Sequence, residues 1–561
     1  MNLRSNPRLT SRRGFRISNG PARPWIRAVL FPACLCLLFI AAGCTRNEPR
    51  ADLVIINGAE PESLDPAIIT GEPDERVVTA LFEGLTRLNP TNAAPIPGLA
   101  ERWEISPDQK VYTFHLRTNL VWSTGEPITA DDVIYSWLRA LNPATASDYA
   151  GQLYYVKNGE EYNTGKITDP SLVGCKALDP YTVRVELRNP TAFFLDLCAF
   201  PTLFVVPRQT IEKYGDRWLS ARPLPSSGPY ELVTWRLNDK IRIRKNERYW
   251  DAANTRLKVV EFLPITSAPT ALNLYETGAA DIVWDKDLVP TELMEVLSKR
   301  PDFHSYQELG TYYVKINTTR KPFDDPRVRQ ALSLCVDKAR IIRKIIKSGG
   351  VAADSLTPPG TARYTPPKGL GYDPERARKL LAEAGYPGGK GFPRIEYIYN
   401  ASAGGAAVPH GKIAVELQQM WHDELGIDIE LRQLEWGTFL ASESQLNYDL
   451  GRSSWIADYN DPETFLNLMM SDNGNNQTGW KNAKYDELIR SADGQLDLAA
   501  REKKFQEAET MLLRDAVPII PIYYYVGLDY FDDRKIKGLH ENVLALHPIN
   551  AIWRTDQPQT R

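Results

Sequence analysis

The chain has 561 residues, 43% of them hydrophobic, and a formal net charge of −3. Its length predicts two or three domains rather than one. All seven charged residues before Cys44 are arginines, so removing residues 1–43 leaves 518 residues carrying about −10. That balance argues against a nucleic-acid partner, since phosphates require concentrated cations.

Residues 1–43 read as an address rather than as part of the fold. An uncharged, mostly apolar run from Ala28 ends in Ala41-Ala42-Gly43-Cys44, small residues before a cysteine as in a bacterial lipoprotein signal, with Cys44 carrying the lipid. The alternative is a single membrane anchor, which sixteen residues barely span. Ser11-Arg12-Arg13-Gly14-Phe15-Arg16 resembles a twin-arginine export motif, although the apolar run begins far downstream. Cys175, Cys198 and Cys335 remain, enough for one disulfide at most and without the spacing of a metal finger.

In the mature chain Leu53–Ile56 predicts a strand, followed by a turn-rich stretch to Pro66 and a helix through Val77, Val78, Leu81 and Phe82 that closes at Gly84. Tyr112-Thr113-Phe114-His115-Leu116-Arg117 alternates strictly and predicts a strand in which His115 is structural. Trp122–Pro127 is a turn, and Thr129 caps a helix with Asp131 and Asp132 in its first turn. Residues 181–187 alternate again. Beyond Leu309 strands and helices take turns: a strand over 312–316, helices starting at Asp325-Pro326 and Asp373-Pro374, a helix over 410–425 and a strand through Ile427, Ile429 and Leu431. Such alternation predicts a largely parallel sheet covered by helices, an α/β fold.

Searching for catalysis finds decoys. Gly405–Lys412 has the flavour of a phosphate loop, but its glycine spacing is one too long and Ile413 stands where a hydroxyl would hold magnesium. There is no Gly-x-Ser-x-Gly elbow, no His-Glu-x-x-His pair, and the six histidines are scattered, so the sequence predicts no enzyme, metal or cofactor.

The stretch Arg452-Ser453-Ser454-Trp455-Ile456-Ala457-Asp458-Tyr459-Asn460-Asp461-Pro462 places a carboxylate between aromatics before a proline turn. Asp458 there is suited to meet a cation in a partly dry pocket, or else to cap the next helix. This segment, and the string from Tyr112 to Trp137, resemble the periplasmic oligopeptide-binding proteins of ABC importers, solute-binding protein family 5. The resemblance runs from Asn57 to Val526. It implies a three-domain periplasmic-binding-protein-like fold with two lobes closing on ligand: domain I from 44–82, 208–309 and 527–561, domain II from 83–207, and domain III from 310–526. It implies that Asp458 binds a peptide's α-ammonium, with Trp455 and Ala457 beside it. Arg452 and His410 would meet ligand carboxylates, and Trp436, Tyr149 and Tyr525 would contact ligand.

The match departs from the family at three places. Thr70-Gly71-Glu72-Pro73 moves by two positions the acidic residue of a loop near the ligand's amino end, so Thr70 and Glu72 are both candidates. Glu443-Ser444 replaces an Arg-His pair, and a carboxyl-contacting lysine falls at Ile346, one place before Lys347. The resemblance implies a monomeric receptor, lipid-anchored in the periplasm or on the outer face of the membrane, that passes short peptides to ABC permease subunits. Cell-wall peptides or another small solute form the alternative within the fold, and a lipoprotein hydrolase is the alternative outside it.

Overall fold

The structure is a computed structural model that describes residues 48–347, 350–400 and 410–556. Residues 1–47, with Cys44, and residues 405–409 of the loop with phosphate-loop flavour lie outside these residues. The first strand, β1 (Leu53–Ile56), is buried at all four positions, as a strand covered on both faces must be. Helix α1 (Glu72–Leu81) follows with three acidic residues in its first turn. It ends three residues before Gly84, because Phe82 turns to extended backbone and Gly84 lies so close to the Cys198 carbonyl that a side chain would not fit.

A small antiparallel sheet comes next, in the order β2 (Ala100–Ile105), β3 (Val111–Leu116), β5 (Thr182–Glu186), β4 (Cys175–Asp179). In β3 Tyr112, Phe114 and Leu116 face the core while Thr113 and His115 point outward, where His115 Nε2 lies 3.1 Å from Glu104. Helix α2 (Ala130–Leu141) starts at a capping box between Thr129 and Asp132. It buries Trp137, whose indole donates to the Leu203 carbonyl at 2.9 Å.

The rest of the chain adds β6 (Tyr230–Arg236), β7 (Lys240–Lys245), β8 (Val259–Leu263), β9 (Ile282–Trp284), β10 (Phe303–Ile316), β11 (Val351–Ala352), β12 (Ile395–Asn400), β13 (Ile429–Leu434), β14 (Leu450–Ile456) and β15 (Ile519–Phe531). With β1 they form one sheet in the order β13-β12-β14-β10-β15-β9-β1-β8-β7-β6, to which β11 adds on β15. The expectation of a largely parallel sheet is wrong. β12 runs parallel to β13 and β14, but β10 pairs antiparallel with both of its neighbours, β14 and β15. Periodicity reports which face of a strand is buried and not its direction, and β10 and β15, 14 and 13 residues long, pair antiparallel although they are far apart in the chain.

The β10–β15 ladder breaks between Gln307 and Thr311, so that Glu308, Leu309 and Gly310 bulge where β15 carries Tyr525. Gly310 has no room for a Cβ, which would strike Ile456 and crowd Tyr525. Helices α3 (Pro326–Leu334), α4 (Pro374–Glu383) and α5 (His410–Leu425) cover this half of the sheet, α3 and α4 capped by Asp325 and Asp373. On α5 Ile413, Leu417, Met420, Trp421 and Leu425 are buried, and Trp421 donates to the Leu332 carbonyl at 2.9 Å. Cys175, Cys198 and Cys335 are buried free thiols, so they form no disulfide.

Candidate functional site

β14 delivers the site. Its last pairing is Ile456 with Gly310, after which the Ala457 N–H donates to the Leu309 carbonyl at 2.8 Å. The chain then turns, and Asp461 does the capping: its Oδ1 accepts from the Glu463 N–H at 3.0 Å while Arg501 grips both carboxylate oxygens at 2.7 and 2.8 Å. The helix-cap alternative for Asp458 is therefore incorrect. Its backbone N–H and the Trp455 indole both approach Thr464 Oγ1, at 3.4 and 3.2 Å. The Asp458 carboxylate instead faces a cavity of about 250 Å³.

Thr70, Glu72, Tyr149, Trp455, Ala457 and Asp458 all line that cavity, six of the ten expected ligand contacts. Gln152 Nε2 donates to Asp458 Oδ2 at 3.1 Å. Burial pushes Asp458 up to about 7, against the Gln152 hydrogen bond and with the Glu463 charge adding to it. Tyr149 feels the Asp458 charge first and burial second, and its phenol is pushed well up. Glu72 is committed differently: its carboxylate meets Lys286 at 2.7 Å and Arg76 at 2.8 Å. Burial works to raise it, yet these two cations hold it at about 2.

Arg452, His410 and Tyr525 form a second group further along the sheet. Arg452 pairs in register with Val314. Its Nη1 donates to Ser454 Oγ at 3.2 Å, and Ser454 borders the cavity. Its Nη2 lies 3.0 Å from His410 Nε2. Burial, and then the neighbouring guanidinium, push His410 down to about 2, so the imidazole is neutral and accepts from Arg452. Tyr312 stacks on both His410 and Tyr523, and Tyr523 touches Tyr525 with ring centres 5.2 Å apart. Trp436 opens the helix Trp436–Ser444; its side chain lies outside what the structure describes.

The departures from the family have structural answers. Glu443 is buried with its carboxylate 3.2 Å from Lys315 Nζ, a pair sealed at 4% side-chain exposure on each partner. Ile346 is core, and Lys347 reaches Glu295 at 3.3 Å, so neither borders the cavity. Sequence reasoning missed Glu75, Arg76, Phe200 and Glu308, which also line it. Glu75 and Arg76 stand three and four places after Glu72 on α1, the spacing of one helix face, so helical periodicity alone could have found them. Glu308 gave no such signal, because its orientation depends on the bulge in β10.

The pattern of the bacterial extracellular solute-binding proteins, family 5 (middle), matches residues 94–477. The chain is 39% identical over 514 residues to the periplasmic oligopeptide-binding protein OppA of Salmonella typhimurium, covering 90% of this chain and 92% of that one. Among solved structures it is similar to a periplasmic oligopeptide-binding protein, OppAIV, of Borrelia burgdorferi, with TM-score 0.80, 33% identity, and coverage of 90% of this chain and 100% of that one. The murein tripeptide-binding protein MppA of Escherichia coli gives TM-score 0.79 and 33% identity over 90% of this chain and 99% of MppA. With its mixed α/β, two-lobed fold and a match spanning most of its length, this chain belongs to family 5 of the bacterial extracellular solute-binding proteins.

Proposed function

We propose that this chain is an extracytoplasmic receptor that binds short peptides and delivers them to the permease subunits of an ABC importer. The observation that carries the reading is Asp458, a desolvated carboxylate facing a cavity, with a polar amide but no cation paired to it among the described residues. A free α-ammonium supplies the missing charge. Arg452, on the strand that leads to Asp458, is the partner for a carboxylate, and His410 holds its guanidinium in place rather than adding a second positive charge. β12 pairs with β14 only at Leu450 and Gly451 among the described residues, so the main chain from Arg452 onward offers an edge to an extended peptide. Main-chain pairing and terminal charges give tolerance of side-chain sequence. Similarity to OppA supports the same reading, which assigns the chain no catalysis.

In this reading the domains follow the division at 82/83, 207/208, 309/310 and 526/527. The break in the β10–β15 ladder supports the last two boundaries, and the separate core around β2–β5 supports domain II. Residues 1–43 direct export, Cys44 carries the lipid anchor, and the receptor acts as a monomer. Cys44→Ala should move the protein from the membrane fraction to the soluble exported fraction; a membrane-bound variant would reject the anchor. Likeness to MppA favours cell-wall peptides as a second reading. Mass spectrometry of ligand released from the purified protein decides: a mixture of short peptides supports the first reading, one murein peptide the second, and a non-peptide solute neither.

A further inference from the structure

The amino-end cavity holds more negative charge than an α-ammonium can satisfy. Glu72, Glu75, Glu308 and Asp458 line it, and the cations among or beside these carboxylates are Arg76 and Lys286. Lys286 is shared, lying 2.7 Å from Glu72 and 2.9 Å from Glu308. Arg76 also serves Glu72, donates to the Asn57 carbonyl at 3.1 Å and lies 4.0 Å from Asp285. Glu308 is 1% exposed, and its Oε2 is buried without a hydrogen-bond partner among the described residues. Glu75 makes no ion pair or side-chain hydrogen bond among them. Burial first, then the charges of Glu72 and Asp458, push it up to about 7. Four carboxyl groups against two cations leave two more acidic groups than basic ones at one cavity, and burial raises Glu75, Asp458 and Glu308 until a further cation arrives to favour their charged forms.

We infer that the cavity takes a dicationic ligand end: a peptide whose first residue carries a basic side chain, its α-ammonium on Asp458 and its side-chain cation on Glu75. This deepens the peptide-receptor reading and rests on it. The first residue's Cα adjoins the α-ammonium, and Glu75 lines the same cavity from α1, close enough to Asp458 to feel its charge. Tyr149 and Phe200, with ring centres 5.3 Å apart, line the same cavity and offer an apolar surface to the methylene stem of a lysine or arginine. Two like charges held at one site repel each other until a cation comes between them, so an uncharged first side chain leaves Glu75 desolvated and unpaired. An acidic one would add a fifth carboxylate.

Calorimetry with four tripeptides, Ala-Ala-Ala as the reference, tests this. Lys-Ala-Ala carries the second cation, norleucyl-Ala-Ala keeps the stem without the charge, and Ala-Ala-Lys moves the cation to the other end. Wild-type protein should bind Lys-Ala-Ala at least about tenfold more tightly than the norleucyl peptide, as expected for a close charge pair. Ala-Ala-Lys should gain no such advantage over Ala-Ala-Ala. In Glu75→Gln the ratio between the lysyl and norleucyl peptides should fall below about threefold, whatever happens to the individual affinities. A wild-type ratio below threefold, or a ratio kept in Glu75→Gln, overturns the inference and leaves the peptide reading standing. If none of the tripeptides binds the wild-type protein, the peptide reading falls and takes this inference with it.

Discussion

The two ends of the site handle charge in opposite ways. Around Asp458 the protein gathers carboxylates and leaves some without a partner, at the cost of raised pKa values at Asp458 and Glu75. Around Arg452 the buried Lys315 already has a counter-charge in Glu443 and a hydrogen bond to Gln477, while Arg452 is held by the neutral His410 and by Ser454, with its Nε left without a hydrogen-bond partner among the described residues. A group that is satisfied before ligand arrives contributes to folding, whereas one left wanting contributes to binding. Mutations at the two ends should therefore be read out in different measurements.

The largest expected effect is on stability. Glu443→Gln strands the Lys315 ammonium in a buried site, and breaking such a pair costs about 3–5 kcal/mol. Urea unfolding should show that loss, while Glu443→Leu combined with Lys315→Met should recover most of it. If the single variant is as stable as wild type, the pair is hydrated and the contrast between the two ends disappears.

Asp458→Asn comes next and should act on affinity. Leaving an α-ammonium buried without its counter-charge costs about 2–5 kcal/mol, roughly 30- to 5,000-fold in Kd. The clean measurement is a double-mutant cycle by calorimetry, wild type and variant each against free and N-acetylated tripeptide. The free peptide should lose most of its affinity and the acetylated one little. Equal losses would mean that Asp458 merely supports the turn. Stability should move the other way, because an amide avoids the burial penalty that a charged carboxylate meets there. Ligand-free Asp458→Asn should thus unfold at no lower urea concentration than wild type at pH 8.

Arg452→Met should have a smaller effect, about 10- to 100-fold on a peptide with a free carboxylate, since its guanidinium trades existing partners for the ligand. The same peptide amidated at its carboxyl end should discriminate far less between wild type and variant. A variant that weakens both peptides equally would show that Arg452 only props up His410 and Tyr312.

Much of this contrast was legible in the sequence, and the reasons differ by residue. Alternation placed β3, and capping chemistry placed α2, α3 and α4, because those signals are local. Asp458 stood out because a proline turn follows it, yet only the structure shows that Asp461, three residues on, does the capping and frees it. The direction of β14 against β10 was illegible, since a strand's burial pattern is the same whichever way its neighbour runs. Glu308 and Lys286 were illegible too: they meet across 22 residues of sequence through a bulge and a short turn. His410 lies beside Arg452, with which the resemblance groups it, but its neutral state follows from burial that no spacing encodes.

Acidity should give the smallest effect and the sharpest signature. Without ligand Asp458 titrates near 7, and an α-ammonium beside it favours the charged carboxylate, so the bound form has the lower pKa. Affinity is then complete above about 7 and falls by up to about tenfold per pH unit below it, until the pKa of the bound form is reached. At the other limit the ligand's own amino group loses its proton near pH 8. Affinity for a peptide with one amino group should therefore peak between about 7 and 8, and weaken about tenfold by pH 6. Binding near pH 6.5 should release protons, detectable as a dependence of calorimetric enthalpy on the buffer's ionisation heat. Glu75, also raised to about 7, lines the same cavity and broadens the fall. The sign for folding is opposite. A carboxylate raised in the folded state binds protons that the unfolded chain has already lost between pH 4 and 7, so ligand-free stability declines as pH rises through that window. Asp458→Asn should flatten both profiles together. If it flattens the stability profile and leaves the affinity profile intact, the ammonium sits elsewhere in the cavity, and Glu75 is the next carboxylate to examine.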